Sequence, residues 1–114
     1  FAYFHNMLCD LSIEQCHLLM LNSRNGVIDS VMIGSGGLTA TTVDIRVVMR
    51  EALMKRATAI ALCHNHPSGN TMPSRDDNEL TRNLREACKV MNIRFLDHII
   101  VAGDRYYSYN DEGM

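Results

Sequence analysis

No stretch of these 114 residues approaches the roughly 18 uninterrupted apolar residues of a membrane-spanning helix. An excess of one charge sign is also missing. Eleven Lys and Arg stand against thirteen Asp and Glu, for a net charge of -2. No global field therefore draws the chain to nucleic acid or to an anionic lipid surface, which leaves only a local basic patch for that purpose. Proline is scarce: Pro67 and Pro73 are the two in the chain, and both fall in one loop. There is no internal repeat, no low-complexity tract and no Pro- or Ser-rich linker, so residues 1–114 read as a single domain. The hydrophobic fraction of 46% and charged fraction of 21% are those of a globular protein and exclude disorder or a coiled-coil rod. The cysteines Cys9, Cys16, Cys63 and Cys88 form no CxxC pair and no zinc-ribbon spacing. They read as reduced, mostly buried small hydrophobes, which points to a cytoplasmic setting. A chain of this length can bury about two thirds of its unfolded surface, so neither disulfide nor metal is needed merely to fold.

What is present alternates between two periods. Phe1, Phe4, Met7 and Leu8 suggest a short helix over residues 1–9. Residues 15–21 and 27–33 read as strands of a hairpin, with Asn25-Gly26 supplying the positive φ of the turn. Thr41-Thr42-Val43-Asp44 reads as a helix start with a hydroxyl cap. Ile45, Val48, Met49, Ala52 and Leu53 then mark one helical face. Ala59-Ile60-Ala61-Leu62-Cys63 is continuously apolar, as expected of a strand covered on both sides. Ser74 opens a second helix, with Leu80, Leu84, Ala87, Cys88 and Met91 at helical spacing. Residues 94–101 and 105–109 form a last hairpin, in which Tyr106, Tyr107 and Tyr109 suggest a half-exposed strand. This order predicts an α/β fold: a mixed sheet with helices on its faces.

The chemistry is concentrated in one segment. His64 and His66 lie two apart at the end of the apolar strand, and the strand period of two puts both imidazoles on one face. Such a pair is suited to Zn2+. Pro67 stops the strand, and the loop delivers a helix whose first turn carries Ser74, Asp76 and Asp77. A carboxylate there could complete a site of two histidines and one aspartate with an open fourth position, the pattern of a catalytic zinc. Other readings stay open at this level. A strand-end histidine can be satisfied by backbone, Ser74 with Asp77 also fits a capping box, and Asp76 fits the helix dipole.

His64-x-His66, seven residues, then Ser74-x-x-Asp77 resembles the JAMM (MPN+) metalloprotease motif without a gap. The surrounding His64-Asn65-His66-Pro67-Ser68-Gly69, Pro73-Ser74 and Leu96-Asp97-His98-Ile99-Ile100-Val101 resemble the RadC family of bacterial JAMM-domain proteins. The resemblance runs from about Leu11 to the end. It implies a three-layer α-β-α sandwich similar to cytidine deaminases. It implies zinc on His64, His66 and Asp77, with Ser74 hydrogen-bonding the metal water or the oxyanion. The general base of the family maps to Glu14, where Cys16 replaces the usual aromatic two residues on. A helix-hairpin-helix region is expected ahead of this domain in full-length relatives, so Phe1 is expected to be the cut edge of a longer chain. A true deaminase is excluded, since no His-x-Glu is followed by Pro-Cys-x-x-Cys.

The remaining features are weaker. Gly34-Ser35-Gly36-Gly37 lacks the Gly-Lys-Ser/Thr ending of a phosphate loop. Cys63 points away from the two histidines by strand alternation, Glu51 rides a charged helix flank, and His98 reads as a hydrogen-bonded core or rim residue. The expectation is a zinc-dependent hydrolase that cleaves an amide or isopeptide bond in an unknown peptide or protein substrate. The alternatives are a DNA-repair-associated binding module, weakly supported by the charge, or a metal-dependent phosphodiesterase using the same site. No membrane partner is expected.

Overall fold

A computed structural model describes residues 13–36 and 43–113. The short helix expected over residues 1–9 lies outside them. The described elements are β1 (Gln15–Leu21), β2 (Val27–Ser35), α1 (Ile45–Met54), β3 (Ala59–Asn65), α2 (Arg75–Met91), β4 (Arg94–Ala102) and β5 (Arg105–Ser108). None of the described helices is long and apolar enough to cross a membrane.

The first hairpin closes as its residue types require. Asn22 Oδ1 accepts from the N–H groups of Arg24 and Gly26, each at 2.9 Å, and Asn25 takes the positive φ of 59°. The strands form one mixed sheet in the order β2-β1-β3-β4-β5. β3 is antiparallel to β1 and parallel to β4, and all seven of its residues are buried, as its unbroken apolar run predicts.

Parallel strands need crossover connections, and these have one hand. β2 runs parallel to β3, because each is antiparallel to β1. The β2-α1-β3 and β3-α2-β4 crossovers both step the same way across the sheet. Two crossovers of one hand and one direction set their helices on one face. One cluster accordingly joins Val48 and Ala52 of α1 and Leu80, Leu84 and Cys88 of α2 to Leu18, Met20, Ile60 and Leu62 of the sheet. The expectation of helices on both faces is thus met, among the described residues, on one face only. The opposite side of β3, carrying Ala59, Ala61, Cys63 and Asn65, is buried as well.

Four details differ from the sequence reading. The α1 cap is the Asp44 carboxylate, which accepts from Arg46 N–H at 2.9 Å, while Thr41 and Thr42 lie outside the described residues. Leu53 and Met91 are 50% and 41% exposed, because each helical face turns out of the core at its last turn. Tyr109 is fully buried rather than half exposed. It follows β5, where the chain turns inward, and its ring stacks on His98 with centroids 5.0 Å apart.

The end of α2 is set by Asn92 in the left-handed conformation, at φ 57°. Its N–H and that of Ile93 bond Lys89 and Cys88 carbonyls, a Schellman closure that delivers Ile93 into the core.

Leu84→Ala is expected to cost about 2–5 kcal/mol, because it opens a cavity between α2 and the sheet. Leu53→Ala is expected to change stability by about 0.5 kcal/mol or less. Denaturant unfolding of the two variants checks which helical face is inside.

Candidate metal centre

The site forms where β3 leaves the sheet. β3 is hydrogen-bonded on both sides, so its end is fixed by two neighbours. The ladder to β4 continues one residue past β3, with His66 N–H donating to Val101 C=O at 2.8 Å. His66-Pro67-Ser68-Gly69 then turns the chain, closed by Gly69 N–H on His66 C=O at 3.0 Å. Pro67 suits the second position of such a turn, and Gly69 takes a φ of 86° that L side chains rarely adopt.

His64 and His66 face the same side, and the loop returns α2 against them. His64 Nε2 and His66 Nε2 are 3.0 Å apart. His64 Nε2 lies 3.2 Å from Asp77 Oδ1, and His66 Nε2 lies 3.2 Å from Asp77 Oδ2. All three ligand atoms fall within 4.8 Å of one another. Donors around a tetrahedral zinc at 2.0–2.1 Å are roughly 3.3 Å apart, so these separations already suit one ion. The three side chains are also largely shielded from solvent: that of His64 is 4% exposed and those of His66 and Asp77 are 12% each.

Local bonds orient each donor. His66 Nδ1 lies 2.8 Å from the Asn70 carbonyl oxygen, which can only accept, so Nδ1 carries a proton and Nε2 faces the cluster. Asp77 does two jobs at once. Its Oδ2 accepts from Ser74 N–H at 2.8 Å while its own N–H donates to Ser74 Oγ at 3.0 Å, a complete capping box. The capping box is thus formed, and it leaves the carboxylate lone pairs with which it could also hold a metal. The cap uses the lone pair of the Ser74 hydroxyl and not its proton.

The electrostatics follow from this crowding. Burial alone would raise the Asp77 carboxyl, but hydrogen bonds and charge from His64 and His66, with the Ser74 N–H, hold it well below the usual carboxylate range. The Asp77 hydrogen bond raises His66 above its ordinary value, against the opposing effect of burial. His98 is driven far below its ordinary value by complete burial and by the neighbouring His64.

A cavity of about 420 Å³ opens at the cluster, lined in part by Glu14, His66, Ser74, Asp76 and Asp77. The structure thus brings Glu14 and Ser74 to one cavity with His66 and Asp77, two of the three candidate ligands. Asp76, expected only to complement the helix dipole, also lines this cavity. Glu51 lies on α1 and is not among the lining residues. Cys63, on the opposite side of β3, is fully buried, and burial pushes its thiol up to about 12.

Asn65 has a role that the sequence reading missed. Its side chain is inside the protein, 2% exposed. Asn65 Oδ1 accepts from Gln15 N–H at 2.7 Å, and Nδ2 donates to Ile13 C=O at 3.0 Å. Those two groups flank Glu14, whose own carbonyl accepts from Gly36 N–H at 2.7 Å. The backbone carrying Glu14 is thus held to the strand that carries His64. Its signal was an asparagine between two histidines, where alternation turns it to the other face.

The RadC-like JAB domain family matches residues 1–114. Among similar proteins, a UPF0758 protein of Symbiobacterium thermophilum is 42% identical over 114 residues, covering 100% of this chain and 49% of that protein. One of Streptococcus gordonii is 46% identical over 101 residues, covering 87% of this chain and 45% of its own length. One of Flavobacterium johnsoniae is 37% identical over 114 residues, covering 100% and 50%. The chain spans about half the length of these relatives.

Asn65→Ala removes two part-buried hydrogen bonds, to Gln15 N–H and Ile13 C=O, each contributing about 0.5–1.5 kcal/mol, and is expected to cost about 1–3 kcal/mol. Faster amide exchange at Gln15, with the β3–β4 ladder still protected, is the accompanying signature.

Proposed function

The chain belongs to the RadC-like JAB domain family, and from that premise we propose that it is a zinc-dependent hydrolase that cleaves an amide or isopeptide bond. The observation that carries this reading is the convergence of His64 Nε2, His66 Nε2 and the Asp77 carboxylate within 4.8 Å, at a cavity lined by Glu14 and Ser74. Two imidazoles and one carboxylate are the ligand types that leave zinc an open position for chemistry.

Zinc bound there would act as a Lewis acid and lower the pKa of water toward about 7. The protein's own groups do the rest. Glu14 accepts the proton of the attacking water and returns it to the leaving amine. The Ser74 hydroxyl proton, unused by the helix cap, donates to the oxyanion that develops on the substrate carbonyl. Asn65 keeps Glu14 in place by holding the backbone on either side of it. The partner is a peptide or protein whose scissile bond enters the cavity. The free cysteines Cys16, Cys63 and Cys88 support a cytoplasmic setting for this chemistry.

Metal analysis after reconstitution is expected to find one zinc per chain, absent from His64→Ala. Glu14→Gln is expected to keep that zinc and to lose about 10²–10⁴-fold in turnover on a panel of peptide and isopeptide substrates. A parent chain that holds no zinc rejects the reading. Zinc-dependent cleavage of a phosphodiester, with every amide left intact, rejects the substrate class.

A further inference from the structure

The metal reading requires the Nε2 lone pair of His64, yet a neutral imidazole can carry its proton on either nitrogen. His66 has a direct solution in the Asn70 carbonyl. Among the described residues, no carbonyl is hydrogen-bonded to His64 Nδ1; it faces another imidazole instead. His64 Nδ1 lies 2.7 Å from His98 Nε2. His98 Nδ1 lies 2.6 Å from Thr81 Oγ1. Thr81 Oγ1 donates in turn to the Asp77 main-chain carbonyl at 2.8 Å.

We infer that Thr81 and His98 are positioning residues that keep a proton on His64 Nδ1 and so turn its Nε2 lone pair to the metal. The inference rests on the metal reading above and names what makes that site ready.

The polarity of the relay follows from its last member. A carbonyl oxygen can only accept, so the single Thr81 hydroxyl proton points to Asp77. The Thr81 lone pair then accepts from His98 Nδ1–H. His98, completely buried, is left with a bare Nε2, which accepts from His64 Nδ1–H. The reverse polarity would take the Thr81 proton from the carbonyl and strip the proton from His64 Nδ1, so that a neutral His64 would carry its one proton on Nε2 and offer a metal no lone pair there. Two contacts hold the relay in register. Thr81 lies four residues after Asp77 on the same helical face, so one helix supplies both the ligand and the end of the relay. Tyr109 stacks on the His98 ring at an interplanar angle of 15° and donates its hydroxyl proton to Asn78 Oδ1 at 2.7 Å. Bonds of this kind orient metal-binding imidazoles, and their loss costs about 10–100-fold in metal affinity.

The test uses the metal-free full chain and then Zn2+ alone. Nitrogen-15 correlation spectra of the imidazoles should show His98 protonated on Nδ1 and bare on Nε2, with His64 protonated on Nδ1. A proton on His98 Nε2 overturns the inference. Thr81→Val should release this tautomer and weaken zinc binding, read by chelator competition, by about 10–100-fold. Thr81→Ser, which keeps the hydroxyl, should restore both. Unchanged zinc affinity and tautomer in a folded Thr81→Val overturn the relay and leave the metal reading standing. A parent chain that binds no zinc overturns the metal reading instead, while its spectra still decide the relay. If Thr81→Val does not fold, the parent spectra and Thr81→Ser decide it.

Discussion

The double pairing of β3 is the constraint on which the rest depends. One strand carries His64 and leads into His66, and it is hydrogen-bonded to β1 on one side and β4 on the other. With every residue of it buried, β3 cannot slip by one position without exchanging its two faces. The placement of His64 is therefore inherited from the sheet as a whole. The bond from His66 N–H to Val101 carries the same rigidity just beyond the strand.

From that end the structure uses single groups for several purposes. Asp77 closes the capping box of α2 and brings a carboxylate to the cluster that could hold a metal ion. Thr81, one turn on, ties the same helix to His98. Asn65 turns to the other side of the sheet and secures the segment bearing Glu14. Helix terminus, strand end and β1 entrance are thus coupled through short hydrogen bonds. A displaced α2 would keep its own capping box but dismantle the cluster.

Much of the fold could be read from periodicity. The apolar run of β3, the Asn25-Gly26 turn and the 3.6 period of Leu80, Leu84 and Cys88 each have a local cause. What failed was governed by the neighbours. Leu53 and Met91 have the spacing of core residues but lie where their helices run past the sheet. Tyr109 has the look of an edge aromatic until the chain turns it under His98. Both described helices share a face because of crossover handedness, which no single segment encodes. In the site, His64, His66, Ser74 and Asp77 were legible because their spacing is short. His98 was legible as a hydrogen-bonded core residue, but its partners, like the roles of Asn65 and Thr81, were not, since these groups meet across 50, 17 or 34 residues.

The sequence by itself determined which residues could ligate a metal, because strand and helix periods put His64, His66 and Asp77 on usable faces. It determined that a capping box opens α2, since Ser74-x-x-Asp77 is a local pattern. Only the tertiary structure decided how these groups are used. The parallel register of β3 with β4 sets His98 against His64. The packing of α2 sets Thr81 against His98, and the β1 entrance sets Glu14 at the cavity. These are long-range contacts whose geometry arises from packing several elements at once. A one-dimensional pattern can name the participants, but the direction of each hydrogen bond depends on atoms brought together only in the folded chain.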